Sequence, residues 1–123
     1  MKKLLIFALF CIPTISWAGH VDVIPAILKE GCTLQTYLAN VADFNKDWGS
    51  KHAYQVEVLV PMQGNDMVTL YWLGRSENAA AFGAAFDAWS AEVTDPNSTA
   101  GKLMARFTEC SEPFDHRESF ISY

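Results

Sequence analysis

The sequence predicts a small α+β domain whose elements run β-α-β-β-α-β, with an extra helical segment before the last strand. Three observations lead there. Two runs, His52 to Val60 and Met67 to Leu73, have strand character and flank a turn-forming cluster. Two longer segments carry apolar residues at helical spacing. The two cysteines beyond the first 18 residues, Cys32 and Cys110, stand where this order returns the chain to one edge of a sheet.

The elements follow in order. Val21-Asp22-Val23-Ile24 alternates and stops at Pro25, a short first strand. Gly31 interrupts the chain, and Thr33 is suited to cap a helix. In that helix Leu34, Tyr37, Leu38, Val41 and Phe44 make one apolar stripe, with Gln35, Asn40, Asp43 and Lys46 on the other side, and Gly49-Ser50 ends it. The second strand, His52 to Val60, places Tyr54, Val56, Val58 and Val60 on one face and Ala53, Gln55, Glu57 and Leu59 on the other. Pro61 and Gln63-Gly64-Asn65-Asp66 make the turn. The third strand, Met67 to Leu73, is apolar or aromatic on both faces, as expected of a strand covered on both sides.

Ser76 is placed to cap the second helix, whose buried stripe is Phe82, Phe86, Trp89 and Val93 among small alanines. Thr94-Asp95-Pro96-Asn97-Ser98 breaks the pattern. A shorter helix carries Leu103, Met104, Phe107 and Cys110, Pro113 stops it, and Glu118 to Tyr123 is the last strand. No repeat or linker divides the chain.

Residues 1–18 have the features of a cleaved signal peptide. Lys2 and Lys3 precede the uncharged, mostly apolar run Leu4 to Ile15, and Ser16-Trp17-Ala18 offers small residues where a signal peptidase needs them. The run is short of the roughly 20 residues of a spanning helix. Phe10 before Cys11 is too large for a lipidation signal. Cleavage after Ala18 leaves one domain, 19–123, exported to a periplasmic or secreted location. Of nine Lys and Arg two leave with the leader, while all 14 acidic residues stay; seven against 14 is a charge of −7. An acidic chain without a basic stripe argues against nucleic acid or anionic lipid as a partner. Cys11 also leaves, so Cys32 and Cys110 remain to pair in an oxidising compartment. Neither has metal-ligand spacing to a histidine, and there is no CxxC.

The element order is the ferredoxin-like split βαβ: a four-stranded antiparallel sheet with the helices on one face. In that topology Cys32, after the first strand, and Cys110, before the last, meet at one edge. The other face, expected to carry Leu59, Tyr71 and Leu73 around Gln55 and Glu57, is too apolar to stay in water. A second copy packing sheet to sheet would cover it. The stretch Tyr71-Trp72-Leu73-Gly74-Arg75-Ser76, running into an Ala- and Phe-rich helix that closes on Ala88-Trp89, resembles the dimeric α/β-barrel superfamily over about Val21 to Tyr123. That superfamily includes antibiotic-biosynthesis-type monooxygenases, EthD-like and NIPSNAP-like proteins. The resemblance implies a homodimer and a cleft between sheet and helices for a small hydrophobic molecule. Its haem-degrading members use a helical His, and none of the helices expected here contains one, which argues against haem.

Candidate site residues are few. Glu57 is the carboxylate expected to face the space between sheets, where burial would make it a base; a pair with Arg75 or Lys51 is the plainer reading. His52 has no identifiable partner. Tyr71, Trp72, Arg75 and Trp89 are candidates for contacting a ligand, although aromatic residues at helical spacing are core by default. His116 among Glu109, Glu112 and Asp115 reads as a solvated acidic loop rather than a metal site. Asn97-Ser98-Thr99 matches a glycosylation acceptor, a frequent chance match. Catalytic triads, phosphate loops and zinc spacings are absent from the sequence, and nothing in it calls for a cofactor. Two function classes follow: a dimeric exported module that binds a small apolar ligand or a protein partner, or a cofactor-independent monooxygenase or isomerase acting on a hydrophobic substrate.

Overall fold

A computed structural model describes residues 19–123; the signal peptide expected over residues 1–18 lies outside the described residues. The elements are β1 (Gly19–Ala26), α1 (Leu34–Asp47), a 3-10 turn (Gly49–Lys51), β2 (Gln55–Leu59), β3 (Leu70–Ser76), α2 (Ala79–Glu92), α3 (Thr99–Cys110) and β4 (Glu118–Ser122). The strands pair in the order β2-β3-β1-β4, each with an antiparallel neighbour. Each helical crossover thus skips over one strand, and the fold is ferredoxin-like.

Each helix begins at a side-chain cap that satisfies an otherwise orphaned backbone N–H. Thr33 Oγ1 accepts from the Thr36 N–H at 3.1 Å, Asn78 Oδ1 from Ala81 at 2.9 Å, and Ser98 Oγ from Gly101 at 2.8 Å. The core lies between α1, α3 and the inner sheet face, where Tyr37, Val41, Phe44 and Trp48 pack with Val56, Leu70 and Leu103. Phe44 is its hub, set edge-on to Trp72 with ring centres 4.9 Å apart.

Cys32 and Cys110 form the expected disulfide, with Cα atoms 5.1 Å apart. Around it the chain is already pinned: Leu28 bridges to Ser111, and the Lys29 N–H donates to the Cys110 carbonyl at 3.0 Å. The sheet edge predicted from topology is where the bridge sits.

Several boundaries differ from the sequence expectation, each for a local reason. Pro25 lies inside β1 rather than ending it; β4 pairs only as far as Val23, so no ladder on that side requires the missing N–H. β2 starts at Gln55 instead of His52, because Ala53 at φ 51° turns the backbone out of the extended region. β3 starts at Leu70 instead of Met67. The Val68 and Thr69 N–H groups donate to Asp66 Oδ1, which curls them away from the ladder. The Thr69 hydroxyl first, and then those two backbone N–H groups, hold the exposed Asp66 carboxyl below its ordinary range. At its other end β3 runs through Ser76, which pairs with His20, so the helix cap falls to Asn78. Asn40, placed by periodicity on the polar side of α1, is buried and donates to the Arg106 carbonyl of α3 at 3.5 Å.

The two faces of the sheet differ in cover. On β1, His20, Asp22 and Ala26 face the helices and are buried, while Val21 and Val23 alternate to the open side. Register aligns Val23 with Leu73 and Val21 with Phe120, and Tyr71 with Leu59. The open face is therefore apolar across its width, with Val23 and Leu73 at its centre and Leu59 and Phe120, 46% and 50% exposed, on the edge strands. Glu57 and Arg75 form an ion pair toward its β2 edge, Nε to Oε1 3.2 Å.

Candidate functional site

Between α2 and the inner sheet face lies a cleft of about 460 Å³, a volume suited to a small molecule. Its existence follows from α2. The helix is alanine-rich, and Ala85 is its buried residue, so it cannot fill the space beneath it. Phe82, Phe86 and Trp89 project from it along the cleft, and Phe86 stays 45% exposed. The stripe expected to be buried is thus the wall of a cleft. The Trp72 indole forms the sheet side, Phe44 and Phe107 close the inner end, and Phe114 overhangs from the segment after α3.

A polar chain runs through this aromatic enclosure. The Trp72 indole N–H donates to the Tyr54 hydroxyl at 2.9 Å, and that hydroxyl donates to Asp22 Oδ2 at 2.8 Å. Asp22 is 0% exposed, a buried carboxylate that must be partnered to be tolerated. Its second oxygen, Oδ1, lies 3.1 Å from Arg117 Nε. That contact is an ion pair without hydrogen-bond alignment, so Oδ1 keeps unused acceptor capacity. Burial, and after it the negative charge of Asp22, push the Tyr54 phenol far above its ordinary range, so the hydroxyl stays a donor.

Gly74 makes the chain of contacts possible. A Cβ at this position would fall 1.9 Å from the Tyr54 hydroxyl oxygen, because the phenol crosses β3 directly over the glycine. Gly74 is the cross-strand partner of Asp22, so the missing side chain opens the path between Tyr54 and the carboxylate.

Of the residues singled out in the sequence, Trp72 and Trp89 line the cleft. Tyr71 and Arg75 lie on the opposite, open face of the sheet, as Glu57 does, so β3 divides the four ligand-contact candidates into two pairs. His52 stacks on Trp48 with ring centres 4.2 Å apart, outside the cleft lining. His116 pairs with Asp115 in an exposed loop, and this contact lowers the Asp115 pKa. Among the described residues no group of three or more His, Cys, Asp or Glu is placed to hold a metal, and no helix is long and apolar enough to cross a membrane. Sequence reasoning missed Asp22, Tyr54 and Arg117. The available signals were a charged residue inside an apolar strand and a glycine inside an aromatic one.

No family model matches the chain, and no curated protein does. Among solved structures, a protein from Shewanella oneidensis aligns with 86% of this chain and 92% of its own at 18% identity, with a TM-score of 0.55. The shared feature is the fold. A second, from Bacteroides fragilis, is described as a dimeric protein of unknown function with a ferredoxin-like fold; it aligns with 85% of this chain and 94% of its own at 15% identity, with a TM-score of 0.41.

Proposed function

We propose that this chain is an exported, homodimeric module that holds a small, flat, largely apolar molecule in the cleft between α2 and the sheet. The observation that carries the reading is the cleft itself: a space of about 460 Å³ walled by aromatic rings, with the buried Asp22 carboxylate and its Tyr54 and Trp72 partners at its floor. Apolar walls supply affinity, and a single polar group fixes orientation. Export is supported by the leader pattern of residues 1–18 and by the long-range Cys32–Cys110 bridge, of a kind that persists in oxidising compartments. Dimerisation is supported by the apolar centre of the open face, which a second copy would remove from water.

The test is a titration with indole followed by tryptophan fluorescence. Saturable binding is expected. Ser90→Phe, a substitution at an exposed cleft-lining position, should weaken it at least tenfold with an unchanged melting temperature. Indole that binds the variant equally well, or shows no saturation with the parent, would remove the cleft from the account.

A further inference from the structure

We infer that the ligand of this cleft carries a positive charge: an organic ammonium or guanidinium group on an aromatic or aliphatic body, seated where Arg117 now sits. This inference rests on the cleft reading above and narrows its chemistry.

Three observations support it. The floor offers an acceptor. Tyr54 already gives its proton to Asp22 and takes one from Trp72; among the cleft-lining side chains Asp22 Oδ1 is the buried acceptor with capacity to spare, beside one buried donor without a partner, Trp48 Nε1, and a carboxylate oxygen answers only to a donor. The lining has the matching charge: two acidic side chains, Asp22 and Glu112, stand against the single basic Arg117. Finally, the protein already seats a cation there. The Arg117 guanidinium carbon lies 5.3 Å from the centre of the Phe86 ring and 5.8 Å from that of Phe114, within the reach of cation–π attraction, while Nε faces Asp22.

Arg117 is a displaceable occupant. It sits just before β4, at the end of residues 112–117, a segment without helix or strand whose residues are all exposed. Its pairing with Asp22 lacks hydrogen-bond alignment. A primary ammonium can point an N–H straight at Oδ1, rest on the same rings, and put its apolar body beside Trp72 and Trp89. Arg117 then moves into solvent, where the acidic surface of the chain accommodates it. A neutral or anionic ligand gains nothing from this exchange.

Three probes sharing one ring system separate the possibilities: tryptamine, the neutral alcohol tryptophol and the anion indole-3-acetate. Tryptamine should bind at least tenfold more tightly than tryptophol, with indole-3-acetate weakest. Arg117→Gln, which frees the carboxylate, should strengthen tryptamine several-fold and leave tryptophol within twofold. Asp22→Asn should erase the preference; if that variant does not fold, the Arg117→Gln comparison decides alone. Equal binding of tryptamine and tryptophol in both the parent and Arg117→Gln overturns the cation assignment and leaves the cleft standing. Failure of all three probes to bind at millimolar concentration overturns both.

Discussion

Helices α1 and α2 have the same length, 14 residues each, and pack against the same face of the same sheet, yet they do opposite things. α1 buries Tyr37, Asn40, Val41 and Phe44, whereas α2 buries Ala85. Large side chains on α1 meet α3 and β2 and fill the space between them. On α2 the inward positions are shared between alanines, which stop short of the sheet, and rings that lie along the gap. One half of the helical layer is a core and the other is a container. The difference is a matter of side-chain volume, not of hydrophobicity, since both helices present apolar faces.

Perturbations should divide along the same line. The largest effect belongs to the disulfide, which closes the α1–α3 half. Cys32→Ser releases a loop of 78 residues and should lower stability by about 4–5 kcal/mol in the chain-entropy limit, with the secondary-structure content unchanged. Thermal melting followed by circular dichroism checks this, and an unchanged midpoint would contradict it.

Phe44→Ala removes the hub of the closed half and should cost about 3–5 kcal/mol by urea denaturation, the range for a fully buried phenylalanine. Phe86→Ala in the open half should cost no more than about 0.5–1 kcal/mol, as for a half-exposed side chain, while weakening indole binding. Similar losses for the two would dissolve the distinction between core and container.

Between these lies a pH effect. Burial pushes the Tyr37 phenol up to about 12, so the folded state holds its proton after the unfolded chain has released its own near the ordinary value of 10.0. The raised pKa means that this contribution is complete below pH 10 and is lost as pH climbs toward 12, a loss on the order of 2–3 kcal/mol. Tyr54 is shifted in the same direction, by burial first and by Asp22 second. Tyrosinate absorbance from these two residues should therefore appear together with unfolding. Their titration at pH 10 in a still-folded protein would show that burial there is weaker than described.

Much of the fold was legible because it was written in periodicity. The α1 stripe at Tyr37, Val41 and Phe44, the break at Thr94 to Ser98, and the pairing of Cys32 with Cys110 are reproduced, whereas Leu38, expected in that stripe, is 41% exposed and Asn40 is buried instead. The site was less legible, and β1 shows why. Val21-Asp22-Val23-Ile24 alternates, but both faces of this sheet are apolar at their centres, so alternation could not say which parity turned inward. The valines turned out, and the aspartate turned in. Phe86 misled in the converse way: helical spacing marks the side facing the sheet, but not whether the sheet is reached. Arg117 gave no sequence signal, because a basic residue in a polar segment reads as a solvated one.

Enclosure of a binding cleft by α2 and the sheet can be read from the indole N–H resonances of Trp48, Trp72 and Trp89 in a ¹⁵N-labelled sample titrated with indole. All three should shift together and saturate, while the side-chain methyls of Leu73 and Val23 on the open face, followed with ¹³C labelling, stay in place. Shifts confined to the open face, or none that saturate at the three tryptophans, would contradict it.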